Sequence, residues 1–241
     1  MAGSPARSAF GPWRLSTVGP NREGPPVRGR RAPLLTPPGH ALDTGDMNSA
    51  LFDAINELAG HSTIADDLVK AAARYLVFAI AAAVVIYWVM GRGRERAINQ
   101  TMVAGAVAAA LLSLAVASLI QHLYIHPRPF VDRQDVILLI NHSADPSLPS
   151  EHAVVAFSLA GAALWSRRLL LASCLLLAAA ALGFARIYTG LHYPADIAVA
   201  AGIGLLASFL AVGLAQPLII RLRATVARVL PPTIRTVLLL D

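Results

Sequence analysis

The sequence predicts an all-α fold, in which five or six membrane-embedded helices form a polytopic bundle behind a disordered N-terminal tail. Composition is the first reason: of 241 residues, 56% are hydrophobic and only 14% are charged, against about 25% charged in soluble domains. The second is a mean hydropathy of +0.60. The third is a series of apolar runs, most of which reach the roughly 17–25 residues that a membrane-spanning helix needs. These observations exclude an ordinary soluble globule and a wholly disordered chain.

The apolar runs are five in number and are separated by short polar links. They cover residues 68–90, 99–124, 152–165, 169–187 and 195–214. The third run is shorter than a spanning helix, and we expect its start to be buried against protein. Gly and Ala are frequent in all five, which favours close helix contacts in lipid. Ahead of them, residues 49–64 show the spacing of an amphipathic helix, lying either at the membrane surface or packed on the bundle.

Both ends of the chain differ from the apolar middle. Residues 1–46 are rich in Pro, Gly and Arg and show no apolar periodicity, so we predict a disordered tail. A more regular sequence begins at Met47, which is a candidate for the natural start beside Met1. The predicted membrane domain covers residues 47–220, and residues 221–241 form a basic cytoplasmic tail.

The net charge of +6 bears on partners and on topology. Nucleic-acid binding is not expected, because most arginines lie between apolar runs and not in a basic stripe. On one side of an alternating bundle lie nine arginines: Arg92, Arg94, Arg96, Arg167, Arg168, Arg221, Arg223, Arg228 and Arg235. The other side holds five basic residues, so the positive-inside rule places the nine in the cytoplasm and residues 125–151 and 186–194 outside. The arginines of the N-terminal tail oppose this topology unless the chain starts at Met47.

Polar residues suited to phosphate chemistry gather at the predicted outer ends of the runs. Residues 126–129, with the sequence HPRP, follow the second run. Their prolines stiffen the backbone, and the fork of Arg128 can bind phosphate bidentately. Residues 149–152, PSEH, open the third run, where Ser150 is a natural N-cap and the free N–H groups favour an anion. Taken alone, Arg128 would indicate only an interfacial anchor. Residues 149–152 alone would indicate only a capped helix with a surface histidine.

A third group, residues 186–196 with the sequence RIYTGLHYPAD, links the fourth and fifth runs. Pro194 suits the first turn of a helix. Asp196 lies four residues after His192 and can accept its ring N–H if the turn folds back. Such a bond would fix the tautomer and make the other ring nitrogen nucleophilic. Taken alone, this is a polar pair at a helix start.

In combination, the three groups resemble the signature of the type 2 phosphatidic acid phosphatase superfamily. That signature is K-x6-R-P, then P-S-G-H, then S-R-x5-H-x3-D; here R-P stands at 128–129, P-S-x-H at 149–152 and R-x5-H-x3-D at 186–196. Three positions depart from it: Gln121 replaces the lysine, Glu151 the glycine and Ala185 the serine. The resemblance covers residues 49–215, and within the superfamily the chain is similar to the branch of bacterial undecaprenyl-diphosphatases.

The resemblance implies three catalytic residues. His192 would attack the terminal phosphorus and form a phosphohistidine, Asp196 would orient His192, and His152 would act first as general acid and then as general base. It implies no cofactor and no metal. The sequence agrees, since Cys174 is the only cysteine and no carboxylate cluster of the kind that holds magnesium is present.

The resemblance also implies the residues that bind the phosphoryl group. Arg128, Arg186 and Ser150 would hold the equatorial oxygens, where charge spreads in the transition state. Gln121, at the lysine position, would donate hydrogen bonds without adding charge. For the remaining histidines near the site, which no motif covers, we expect loop or interfacial roles: His122, His126 and His142.

The expected function follows from the family and from the predicted topology. We expect a multi-pass protein of the bacterial plasma membrane, with its active site facing outside, that hydrolyses undecaprenyl diphosphate, recycles this cell-wall lipid carrier and so confers bacitracin tolerance. One alternative is a phosphatase of phosphatidylglycerol phosphate or phosphatidic acid. Another is a non-enzymatic membrane transporter. The sequence does not indicate an oligomeric state.

Overall fold

The computed structural model describes residues 44–214, 216–231 and 233–234. In this part of the chain the regular structure is helical throughout, which confirms the predicted fold class. The α-helices are α1 (Thr44–Asn56), α2 (Thr63–Val89), α3 (Gly93–Leu123), α4 (Pro129–Asp132), α5 (Glu151–Trp165), α6 (Leu169–Tyr188), α7 (Pro194–Ser208) and α8 (Gln216–Val229). A π-helical segment, Phe209–Leu214, continues α7.

Four helical segments are long and apolar enough to cross a membrane: α2, α3, α6 and the continuous stretch Pro194–Leu214. Helix α5 is also apolar but has only 15 residues. At 1.5 Å per residue it is about 22 Å long, which is less than the roughly 30 Å of a bilayer's hydrocarbon core. The prediction of five or six membrane-embedded helices is therefore slightly higher than the four spans that length and composition support.

Helix α5 lies at the centre of the bundle, where it packs against α2, α3, α6 and α7. Ala153 and Val154, in its first turn, are fully buried, as expected for a short run that begins against protein. Gly204 of α7 shows how closely the backbones approach, because a Cβ there would lie 2.7 Å from the Val154 carbonyl oxygen. Small residues allow such contacts. This packing fixes the start of α5 relative to α7.

Large apolar side chains cover the outside of the bundle. Phe78 of α2, Leu111 of α3 and Leu170 and Leu177 of α6 are all exposed. A soluble monomer rarely exposes contiguous apolar surface on this scale. The outward face of these helices is therefore suited to lipid and not to water.

Helix α1 packs on the bundle, which selects one of the two positions expected for it, and it ends at Asn56, before the predicted residue 64. Its Phe52 is buried against the ring of Tyr193, with 5.2 Å between the ring centroids. The Nδ2 of Asn56 donates to the carbonyl oxygens of Ile137 and Tyr188, both at 2.9 Å. Its Oδ1 accepts from the amide of Ile137, also at 2.9 Å. Asn56 thus ties α1 to the end of α6 and to the loop before α5.

Replacing Asn56 with alanine should lower the free energy of unfolding by about 3 kcal/mol, because three hydrogen bonds are lost and the groups that they satisfied stay partly buried. Thermal unfolding in detergent, followed by tryptophan fluorescence, measures the effect. Asn48→Ala is the matched control, since Asn48 makes one exposed bond to the Ala195 amide and should cost less than about 1 kcal/mol. Equal stability of the two variants would contradict this role.

The predicted domain boundaries stay predictions. The proposed tail, residues 1–46, falls almost wholly outside the described residues, and α1 begins at Thr44. At the other end, α8 runs across the predicted boundary between residues 220 and 221. Residues 235–241 again lie outside the described part.

Candidate active site

The three polar groups of the sequence meet at one end of the bundle. The Ser150 amide, at the start of α5, donates to the Asp196 carbonyl oxygen at 3.5 Å. Nη1 of Arg128, in the segment after α3, donates to the Leu191 carbonyl oxygen at 3.1 Å. Residues more than 40 positions apart in the sequence therefore contact one another.

His192 lies in the tight turn between α6 and α7, and only 1% of its surface is exposed. Gly190 allows this turn, since its φ is +79° and a Cβ there would lie 2.8 Å from the Ile137 carbonyl oxygen. The Nδ1 of His192 is 3.0 Å from the Ser147 carbonyl oxygen and 3.4 Å from Oδ2 of Asp196. Nδ1 is therefore the protonated nitrogen, and Nε2 carries the lone pair.

Two guanidinium groups face that lone pair. Nη1 of Arg128 and Nη2 of Arg186 each lie 3.1 Å from Nε2 of His192. Both arginines are 4% exposed, and Nε of Arg186 has no hydrogen-bond partner among the described residues. Two buried positive charges beside a nucleophilic nitrogen form a site for an anion.

Burial is the main cause that lowers the pKa of His192, to about 3. The bond to Asp196 opposes this shift, and the charges of Arg186 and Arg128 reinforce it. A lowered pKa means that the ring stays neutral as pH falls, until pH approaches that value. At physiological pH the Nε2 lone pair is therefore available for attack.

Arg128 is held in position by Asp145 in the loop before α5. Its Nε donates to the carbonyl oxygen of Asp145 at 3.1 Å and to the carboxylate Oδ1 at 3.2 Å. The hydroxyl of Ser143 also donates to that Oδ1, at 2.8 Å. Burial raises the pKa of Asp145, but the bonds from Ser143 and Arg128 outweigh it and the pKa is lowered. The carboxylate is thus charged and orients the guanidinium group through its Nε side.

Asp196 is fully buried in the first turn of α7, and Pro194 begins that helix as predicted. Oδ2 of Asp196 accepts from the Tyr193 amide at 2.9 Å and from the Ser147 hydroxyl. Oδ1 has no hydrogen-bond partner in the described part of the chain. The nearby Nε2 of His126 lies 3.9 Å from it.

Ser150 stands at the N-cap of α5, the position predicted for it, although its hydroxyl does not cap the helix. The side chain makes no capping bond, and within the described chain its buried Oγ has no hydrogen-bond partner. A buried hydroxyl without a partner costs about 1–3 kcal/mol, which an arriving phosphate oxygen would relieve. His152 follows in the first turn, half-buried, whereas Glu151 is exposed.

Gln121, at the lysine position of the signature, contacts the loop and not the histidine. Its Nε2 donates to the Pro149 carbonyl oxygen at 3.1 Å. This amide therefore supports the backbone that presents Ser150. Direct binding of a phosphoryl group by Gln121 stays a prediction.

Ser147 and Asp145, which orient His192 and Arg128, are site residues that the sequence patterns did not indicate. No motif covers either residue. The only signal was their position in the polar segment just before the PSEH group. Among the described residues there is no group of three or more His, Cys, Asp or Glu side chains placed to hold a metal ion.

An apolar groove of about 330 Å³ opens beside His152. It lies between α2, α3 and α5 and is lined by Val77, Phe78, Ala81, Leu114, Glu151, His152 and Val155. Its lining includes His152 of the predicted site and Phe78, which is exposed on the outside of the bundle.

The family of this chain follows from its similarity to known proteins. A family profile described as the PAP2 superfamily matches residues 101–219. The chain is 32% identical over 164 residues to "Undecaprenyl-diphosphatase BcrC" of Bacillus subtilis (strain 168), covering 68% of this chain and 82% of that protein. This chain belongs to the PAP2 superfamily. The predicted family is confirmed, and with it the prediction of a phosphoric ester hydrolase.

Two further comparisons agree with membership of the PAP2 superfamily. The chain is 29% identical over 167 residues to "Bacitracin transport permease protein BcrC" of Bacillus licheniformis, covering 69% of this chain and 80% of that protein. The crystal structure of Aquifex aeolicus LpxE superposes with a TM-score of 0.57 at 25% identity, covering 69% of this chain and 95% of that one. Together with its apolar helices, these relatives identify the chain as a multi-pass membrane protein.

Proposed function

We propose that this PAP2 enzyme hydrolyses undecaprenyl diphosphate to undecaprenyl phosphate through a phosphohistidine on His192. One observation carries the proposal: both guanidinium groups converge on Nε2 of His192 while Ser147 and Asp196 hold Nδ1. This is the arrangement that a nucleophilic histidine and a transferring phosphoryl group require.

In the first step, Nε2 of His192 attacks the terminal phosphorus and the bridging P–O bond breaks. Arg128 and Arg186 bind the equatorial oxygens, where charge accumulates. Burial and the charge of Arg186 lower the pKa of His152 to about 4, so the negative charge of the bound diphosphate must first favour the protonated ring. Protonated His152 then gives its proton to the leaving oxygen, which departs as the lipid monophosphate. His192 now carries the phosphoryl group on Nε2 and keeps its proton on Nδ1, and the carboxylate of Asp196 offsets the resulting positive charge.

In the second step, neutral His152 takes a proton from water, and the water oxygen attacks the phosphohistidine. The P–N bond breaks, inorganic phosphate leaves, and the Nε2 lone pair returns to His192. His152 ends protonated, ready for the next cycle. The sum is one diphosphate and one water converted to one lipid monophosphate and one phosphate.

The choice of a polyprenyl substrate rests on two features. The groove beside His152 offers apolar surface for a long chain next to the pocket. The name of the Bacillus subtilis relative is that of an undecaprenyl-diphosphatase. We further propose, from the distribution of arginines, that the pocket faces outside the plasma membrane of a bacterium. Phosphatidylglycerol phosphate and phosphatidic acid remain the alternative substrates.

A lipid panel tests the substrate. Purified protein in detergent is given undecaprenyl diphosphate, phosphatidylglycerol phosphate or phosphatidic acid, with and without EDTA, and phosphate release is followed. We expect the highest kcat/KM with undecaprenyl diphosphate and no effect of the chelator. An equal kcat/KM with phosphatidic acid would overturn the substrate choice. Loss of activity in EDTA would overturn the metal-independent mechanism.

Filling the groove should separate chain binding from chemistry. Leu114→Trp places a larger side chain in the groove and should lower kcat/KM for undecaprenyl diphosphate about 10-fold or more. Hydrolysis of isopentenyl diphosphate, whose five carbons hardly enter the groove, should change less than about twofold. Leu119→Trp is the control, since Leu119 lies on the same helix but is exposed outside the groove. Equal losses on both substrates would show that the groove does not bind the chain.

A further inference from the structure

We infer that His126 is a positioning residue, which donates its Nε2–H to Oδ1 of Asp196 and thereby holds the carboxylate that orients His192. The inference rests on the roles proposed above for His192 and Asp196. It replaces the loop or interfacial role that the sequence suggested for His126, which no motif of the PAP2 signature covers.

One oxygen of the Asp196 carboxylate, Oδ1, lacks a hydrogen-bond donor among the described residues. The side chain is fully buried, and Oδ2 accepts from the Tyr193 amide and from the Ser147 hydroxyl. In the described residues no group donates a hydrogen bond to Oδ1. A buried carboxylate oxygen without a donor is costly. A donor within reach of Oδ1 is therefore expected.

The ring of His126 lies next to this oxygen. Its Nε2 lies 3.9 Å from Oδ1 of Asp196, so a shift of about 1 Å brings the pair to hydrogen-bonding distance. The ring is stacked on Tyr124, with 6.0 Å between centroids and 14° between planes, and it also contacts the ring of Tyr193 at 5.7 Å. The carbonyl oxygen of His126 accepts from the Ser147 amide at 2.8 Å. These contacts hold the ring and its backbone beside the carboxylate, within about 1 Å of hydrogen-bonding distance.

A hydrogen bond from His126 to Asp196 would keep the carboxylate oriented toward His192. With bonds at both oxygens, the carboxylate plane of Asp196 cannot rotate, and Oδ2 keeps facing Nδ1 of His192. When the phosphoryl group transfers, the positive charge on His192 then meets a carboxylate already in place. A neutral His126 with its proton on Nε2 suffices. Because His126 does not touch the substrate in this scheme, its loss should lower kcat and leave KM nearly unchanged.

Two substitutions separate hydrogen bonding from packing. His126→Phe keeps a ring between the two tyrosines but removes the donor, whereas His126→Gln removes the ring and keeps an N–H donor. We expect His126→Phe to lower kcat about 10-fold with KM within about twofold of wild type, and His126→Gln to recover kcat to within about threefold. His122→Phe, an exposed histidine four residues earlier, is the matched control and should behave as wild type. The substrate is whichever member of the lipid panel the wild type hydrolyses best.

A double-mutant cycle guards against a purely structural effect. In an Asp196→Ala background, His126→Phe should cause no further fall in kcat, because the acceptor is already gone. Additive effects would overturn the inference, as would a wild-type kcat for His126→Phe or equal losses in His126→Phe and His126→Gln. Thermal unfolding of each variant shows that it is folded. An active His192→Ala variant would instead refute the proposed mechanism, so the two failures are distinguishable.

Discussion

His192→Ala should reduce phosphate release by about 1,000-fold or more, because it removes the nitrogen on which the proposed covalent intermediate forms. His192 is buried at the meeting point of both guanidinium groups, and a methyl group there leaves the donors without a nucleophile between them. The measurement is the initial rate on the best lipid of the panel. His122→Ala, an exposed histidine, should retain the wild-type rate.

A labelling experiment tests the same residue independently of turnover. Substrate carrying a radioactive terminal phosphate is mixed with enzyme and quenched in alkali, in which phosphohistidine persists. Wild-type protein should carry label and His192→Ala should not. Labelled His192→Ala, or a rate within about tenfold of wild type, would place the nucleophile elsewhere.

Arg186→Ala should lower kcat/KM by about 100- to 1,000-fold, the usual effect of removing one donor that stabilises transition-state charge. Nη2 of Arg186 lies 3.1 Å from Nε2 of His192, and its buried Nε has no partner within the described chain. Its fork is therefore available to equatorial oxygens. Arg186→Lys should recover part of the loss, since an ammonium supplies charge but no fork.

The control for Arg186 is Arg94→Ala, because Arg94 is an exposed arginine at the opposite end of the bundle. It should leave kcat/KM within about twofold of wild type. If Arg186→Ala matched this control, Arg186 would not bind the phosphoryl group. If Arg186→Lys restored full activity, charge alone and not bidentate geometry would matter.

The helices were the part of the fold most accessible from sequence. The runs at 68–90 and 169–187 were found as α2 and α6 because apolar length is a strong local signal in membrane proteins. The number of spans was less accessible, since α5 is apolar throughout and yet only 15 residues long. The end of α1 was missed because its packing on α6 and on the loop before α5, and not its spacing, decides where it stops.

The residues of the candidate site were likewise only partly predictable from the sequence. The PAP2 signature gave the residues at helix ends, and the structure brings Arg128, Arg186 and His192 together. Ser147 and Asp145 come from a loop whose path depends on tertiary contacts, so no periodicity marked them. Ser150 occupies the N-cap position that local preference favours, but its side chain does not cap the helix. The structure leaves its hydroxyl free among the described residues, as tertiary context overrode that preference.

Arg128 and Arg186 converge on Nε2 of His192 through contacts made within the protein itself. Two like charges held this close oppose folding, and the packing of the rest of the bundle must compensate for that repulsion. In return, the dipoles are preorganised before a substrate arrives, so little reorganisation is needed during turnover. The phosphorus has only to replace the two N–H donors at the nitrogen lone pair, while those donors move onto its oxygens.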